Sequence, residues 1–356
     1  MPGVVWAVLL LAASAAAQDG ADGARHPSVR LGDVRLELLA RVQLDARLKA
    51  DAVERDEETP GLDIGRKRVG VRGRLARIAA FEVETELEAR DPWRDVYIEY
   101  RQFRSLRVQA GHFKVPFSLD YTTSSAKLDF IDRSRAANTL AAGRDRGIMA
   151  HGRLLDDRLE YEAGAFAGRD TKAVRLAARP FGARRSAGRA LTAAIAYTHG
   201  ALDERLVDSV WVKGSRRRAG VELQWQPGPV ALTGEYMRAA DERLGQGIGG
   251  ENLAPLVRTG WYGAGTWAVR PALGSRRPRL ELAARVDGLR VGRGGAKAGT
   301  SFSPRAAVVA GRADQALTLG VNWYLGSRVK LQANGVRDRH AGRARWTPLA
   351  RLQVVL

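Results

Sequence analysis

The 356-residue chain contains no cysteine. That excludes a disulfide framework, thiolate metal sites and a cysteine nucleophile. Aromatic residues are sparse, at 7%, so any interfacial ring of tryptophan and tyrosine must be thin. Past the first seventeen residues, no apolar run approaches the roughly 20 residues that a membrane helix needs. Helical spans are thereby excluded, and strands are the one remaining way through a bilayer. The five histidines (His26, His112, His151, His199, His340) are scattered without paired metal-ligand spacing. No HExxH, GxSxG or Walker pattern occurs. The sequence therefore offers no metal site, no cofactor site and no catalytic residues; a barrel-embedded hydrolase using His151 with Ser124 or Ser125 has only residue types in its favour. The Gly-rich stretch Gly245–Gly250 lacks a parallel βαβ context and reads as a loop.

What the chain has is positive charge: 58 Lys and Arg against 39 Asp and Glu, a formal net charge of +19. The basic run Arg216-Arg217-Arg218 has no aromatic side chains interleaved with it. Such a run does not read as a nucleic-acid surface. Small anions and the anionic lipid or lipopolysaccharide of a membrane are the partners that this charge suits. Met1–Ala17 has an apolar core followed by Ala15-Ala16-Ala17, the pattern of a secretory signal peptide cleaved before Gln18. Residues 18–32 are small, polar and Gly-rich, and are expected to form a flexible lead-in. An exported chain without cysteine must be stabilised by its fold, and a closed hydrogen-bonded barrel does this.

The clearest structural signal is Val34–Lys49. Val34, Leu36, Leu38, Ala40, Val42, Leu44, Ala46 and Leu48 fall on one face, and charged or amide side chains fill most of the other. This is period two, held for longer than a globular strand of roughly 5–6 residues requires. Ile64–Leu75 follows, with Arg66, Arg68, Arg72 and Arg74 on its charged face; Ala80–Ala89 carries Glu82, Glu84, Glu86 and Glu88 on its own. Arg and Glu rows on adjacent strands are expected to pair. The alternation recurs about sixteen times down to Leu356, separated by turns such as Asp156-Asp157 and Pro227-Gly228-Pro229 and by the loop Gly292–Gly299. It stops once for long, over residues 115–146, a length of loop that is usually functional. The pattern predicts an all-β protein, a transmembrane antiparallel up-and-down β-barrel of about 16 strands over residues 33–356. The segment 115–146 is its candidate constriction loop, folded inward; a plain surface loop is the alternative.

Four segments carry a family likeness. GHFKVPFSLD (Gly111–Asp120), LDFIDRS (Leu128–Ser134), GRDRGIM (Gly143–Met149) and LGVNWYL (Leu319–Leu325) resemble the phosphate-selective porin O/P family. The resemblance implies an outer-membrane barrel, often trimeric, that passes anions and in some members phosphate or polyphosphate. The chain departs from it at Leu356, where such barrels commonly end in Phe. Anion selectivity needs positive potential along a narrow wet path. The expected pore-lining, anion-binding residues are Lys114, Lys127, Arg133, Arg135, Arg144 and Arg146 from the long segment, joined by Arg68, Arg72, Arg74 and Arg153 from the wall. The competing reading of each is a solvated charge paired with a nearby carboxylate, and Arg144-Asp145-Arg146 in particular suits a salt-bridged corner. The sequence predicts passive diffusion of small anions across the bacterial outer membrane, with no enzymatic step. A weakly selective porin and a plugged structural or adhesive barrel are the alternatives.

Overall fold

A computed structural model describes residues 26–47, 61–181, 190–208, 210–247, 249–271, 278–292, 312–340 and 343–356. The expected signal peptide lies outside the described residues, as do the acidic run at Glu54–Glu58 and most of the Gly292–Gly299 loop. The strands are β1 (Ser28–Leu31), β2 (Val34–Arg47), β3 (Gly61–Leu75), β4 (Ala79–Glu86), β5 (Trp93–Tyr100) and β6 (Arg107–Lys114). After the long segment come β7 (Arg144–Leu154), β8 (Leu159–Phe166), β9 (Thr171–Ala178), β10 (Ala190–Val207), β11 (Val210–Gln226) and β12 (Val230–Arg243). The last five are β13 (Leu253–Pro271), β14 (Pro278–Val291), β15 (Arg312–Leu325), β16 (Val329–His340) and β17 (Arg343–Val355).

Strands β2 to β17 pair antiparallel in sequence order, and β17 returns to β2 to close a barrel of sixteen. Period two decides which side each residue takes. Leu38, Val71, Ile98, Val221, Val286 and Leu319 are exposed on the outer wall, whereas Glu37, Gln43, Glu82, Glu84 and Glu99 are buried within. The expected Arg–Glu rows are in register, Arg68 opposite Glu86 and Arg72 opposite Glu82. Connections at one end are short, at residues 76–78, 155–158, 227–229 and 326–328. Between two prolines, Gly228 takes φ +65°, a left-handed turn conformation that a side chain would strain. Tyr100, Trp225, Trp267 and Trp323 are exposed near this end, a thin aromatic ring as the composition requires. The other end carries the long connections. There β10, β11 and β13 run 18, 17 and 19 residues, beyond the roughly 9–11 of a tilted membrane crossing.

Residues 28–31 depart from the expected flexible lead-in. They pair with β2 from Ser28↔Glu37 to Leu31↔Val34, occupying the part of its edge that β17 leaves open. Leu356 N donates to Ala40 O at 2.9 Å, and the His26 ring contacts the Leu356 carbonyl. A strand of four residues next to a glycine turn is too short to give a period-two signal, which is why the sequence did not show it.

The segment between β6 and β7 holds α1 (Leu119–Thr122), a 3-10 turn (Ser125–Lys127) and α2 (Arg135–Leu140). Ser118 and Ser134 are the N-caps, their hydroxyls accepting from Tyr121 N and Ala137 N at 3.3 and 3.1 Å. The buried side of α2, Ala136, Ala137 and Leu140, joins Phe113, Phe117, Met237 and Leu289 in the largest apolar cluster. The fit is close at Gly260 on β13, where an added Cβ would lie 2.7 Å from Ala136 Cβ. Gly260→Ala must therefore displace α2, at about 1–3 kcal/mol for overpacking. Lowered thermal stability of the folded barrel is the expected readout, and an unchanged transition would show that α2 is loosely held.

Candidate functional site

The barrel contains a cavity of about 1270 Å³ on the side of β2–β6, β16 and β17, bordered at Phe113 and Met149 by the apolar cluster around α2. Twelve Lys and Arg side chains line it against seven Asp and Glu. Many of these are neutralised in place. Arg68 donates to Glu86 at 2.5 Å and to Glu84 at 3.2 Å, and Arg72 to Glu82 at 2.8 Å. Arg144 forks onto Asp95 at 2.8 and 3.3 Å. These pairs build the polar wall but add little net field beyond contact range.

A second set is satisfied by neutral oxygens. Arg66 donates to Gln43 Oε1 at 2.7 Å. Lys114 Nζ donates to the carbonyls of Thr122 and Thr123 at 3.0 and 3.2 Å. Arg133 donates to the carbonyls of Asp120 and Thr123 at 2.5 and 2.7 Å; the Asp120 carboxylate stands at 3.9 Å and the Tyr121 ring at 5.5 Å. Burial lowers the Arg133 pKa below its usual value. Arg41 bridges strand and segment, donating to Ser125 Oγ at 2.8 Å and Ser124 Oγ at 3.4 Å, with Glu84 at 3.7 Å. Lys127 is exposed at the cavity and has no ion pair among the described residues. Arg66, Lys114, Lys127 and Arg133 thus make no hydrogen bond to a carboxylate among the described residues.

The same segment is tied to the barrel wall at several points. Glu235 accepts from Ser118 Oγ and Leu119 N at 3.2 Å and from Asp120 N at 3.4 Å, covering the start of α1. Lys330 donates to Leu128 O at 2.7 Å, Asn334 accepts from Ile131 N at 2.7 Å, and Arg351 donates to Ile131 O at 2.8 Å. Burial, and next the nearby Glu281, push the Asp129 carboxyl up to about 6. At neutral pH it is still mostly ionised.

Of the residues expected to line a pore, Lys114, Lys127, Arg133, Arg144, Arg68 and Arg72 border this cavity. Four do not. Arg135, at the start of α2, turns to the wall and contacts Asp338, with Asp287 at 3.7 Å. Arg146 is exposed and shares its β7 face with the exposed Ile148, which period two turns outward. Arg153 pairs with Glu160 at 3.2 Å near the short-turn end, and Arg74 is exposed at the end of β3. Arg41, Arg66, Arg94 and Lys330 border the cavity without having been selected from the sequence. Arg41 and Arg66 carried a usable signal, since both lie on the charged faces of their strands. Their distinction from Arg72 depends on partners that lie far off in sequence or on another strand.

A family model for phosphate-selective porin O and P matches residues 36–210 and 203–347. A search of curated protein sequences returned no match. Among solved structures, the trimer form of OmpT, an outer-membrane protein of Vibrio cholerae, superposes with a TM-score of 0.63 at 12% identity, covering 91% of this chain and 99% of that one. An anion-selective porin from Comamonas acidovorans gives 0.61 at 13% identity, covering 91% and 100%. OmpF of Salmonella typhi gives 0.62 at 9% identity, covering 93% and 100%. At these identities the likeness is one of fold.

Proposed function

Because the chain belongs to the phosphate-selective porin O and P family, we propose that it is a passive outer-membrane channel preferring small anions, with phosphate or polyphosphate the best-suited solutes. The barrel itself is that of an outer-membrane porin. The observation that carries the anion preference is the set Arg66, Lys114 and Arg133, whose hydrogen bonds go to amide and carbonyl oxygens. No carboxylate accepts a hydrogen bond from any of the three, so their donors are not locked in tight ion pairs. Residues 115–143 act as the constriction, with Lys127 and Arg133 of the segment and Lys114 at its root bordering the cavity together with Arg66 and Arg41 of the wall. An anion entering it trades part of its hydration shell for guanidinium and ammonium donors. Passage is fast as long as no single contact holds too tightly. A tetrahedral oxyanion accepts two parallel hydrogen bonds from a guanidinium, which a halide cannot do. The anion-selective porin among the fold neighbours fits this reading, and the trimeric OmpT form motivates the proposal of a homotrimer.

A weakly selective porin is the second reading, favoured by the neutralised pairs Arg68–Glu86, Arg72–Glu82 and Arg144–Asp95 on the same wall. Planar-bilayer recording separates the readings. Discrete conductance steps are expected, and their absence would indicate a plugged barrel. Phosphate should then block chloride current. If the bidentate contact is worth about 1.4 kcal/mol over chloride, phosphate at about a tenth of the chloride concentration halves the current. Block no stronger than that of another divalent anion would leave general anion attraction without phosphate preference.

A further inference from the structure

Four consecutive turns at the short-turn end repeat one arrangement. The turns after β1, β3, β5 and β7 each present an exposed apolar side chain: Leu31, Ile78, Phe103 and Leu155, which are 48% to 72% exposed. Each also carries an arginine in or beside it: Arg30, Arg77, Arg104 and Arg158. Arg104 is paired with Asp157 at 2.5 Å. Arg30, Arg77 and Arg158 are exposed and have no ion pair among the described residues. The β11–β12 turn across the barrel is Pro227-Gly228-Pro229 and has neither feature.

Two observations say what covers this rim. Its apolar side chains come one per turn, each next to an arginine. They also continue the lipid-facing wall, where Leu75, Leu106 and Leu154 are exposed immediately beside the turns and the Tyr100 ring marks the interface. An apolar tip beside a free guanidinium suits the boundary between acyl chains and phosphate headgroups. We propose that this half of the rim is a binding arc for anionic phospholipid, in which Arg30, Arg77 and Arg158 hold headgroup phosphates and the turn tips enter the interface. The short connections place it in the leaflet away from the long loops, so phosphatidylglycerol-type lipid is the ligand and lipid A is not.

The test uses the folded barrel in nanodiscs made from equal parts phosphatidylglycerol and phosphatidylcholine. Lipids retained on transfer to mild detergent are counted by native mass spectrometry. Phosphatidylglycerol should be enriched about threefold in the wild type. R30Q/R77Q/R158Q should retain the two lipids equally, and R30K/R77K/R158K should restore the enrichment, because charge more than fork geometry is at work. All three positions lie at exposed turns, and heat-modifiable gel mobility reports whether each variant is folded. No enrichment in the wild type would overturn the proposal. Equal enrichment in the glutamine variant would do so as well, as would displacement of the retained lipid by lipid A at equal concentration.

Discussion

Replacing Arg66 and Arg133 together with glutamate is expected to abolish or reverse anion preference. The cavity lining has an excess of five positive side chains, twelve against seven, and the double substitution changes the lining by four charges. A unit charge at about 4 Å is worth about 1 kcal/mol even at the dielectric of water. A fall of about tenfold or more in the chloride-to-potassium permeability ratio is therefore the modest end of the expectation. Reversal potential in a KCl gradient reads it, most sensitively at low ionic strength where screening is weak. Arg66 and Arg133 are chosen because neither spends its charge on a close carboxylate. Two single variants serve as controls. Arg146→Glu, on the outward face, should leave the sign unchanged. Arg135→Glu breaks contacts with Asp287 and Asp338, so it should weaken the anchoring of α2 before it alters selectivity. If the double variant stays as anion-selective as the wild type, residues 115–143 do not line the conducting path.

Asp241→Ala should be the most damaging single change in the wall. Asp241 is fully buried on β12 and serves two strands at once, accepting from Arg216 of β11 at 2.6 Å and from Arg258 of β13 at 2.8 Å. Alanine would leave two buried guanidiniums without that carboxylate, beside Arg218, which is itself buried. Breaking a buried pair in this way costs about 3–5 kcal/mol. The midpoint of denaturant unfolding, followed by the gel shift between folded and unfolded barrel, should fall accordingly. Asp241→Asn keeps an acceptor oxygen and should cost less. Replacing Asp241, Arg216 and Arg258 together by apolar residues of similar volume should recover part of the loss, since both guanidiniums leave with their shared partner while Asp208 loses Arg258. A loss in that triple variant as large as in Asp241→Ala would mean that the pair contributes net stability.

The sixteen strands of the wall were legible because a membrane barrel writes its two environments into alternate residues. Val34–Arg47 and Gly61–Leu75 show this best, and the Arg–Glu register between β3 and β4 followed from the same alternation. The candidate site was legible only in part. That Arg68 and Arg72 face inward is a matter of parity, and Lys114, Lys127, Arg133 and Arg144 stood out by sitting in or beside the one long interruption. Which of them keep their charge is decided by contacts between distant residues, such as Arg66 with Gln43 or Arg144 with Asp95. Parity also fails where a strand begins: Arg144 has the parity of the outward Arg146 and Ile148, yet it borders the cavity. Arg135 was misread for a different reason: the Ser134 cap starts a helix there, and helical geometry turns the side chain to Asp338.

The edge of β2 has two tenants. Its outer part pairs with the C-terminal strand and its inner part with residues 28–31, so the two ends of the chain share one hydrogen-bonding rail. The contact that joins them, His26 to Leu356, spans 330 positions. Until β17 pairs with β2 the sheet keeps two raw edges, and an uncovered edge is a template for pairing with another chain. Stability must therefore arrive late and all at once. The closing step has the longest loop entropy in the molecule to overcome, and an assembly caught before it would be open to strand exchange between copies along β2.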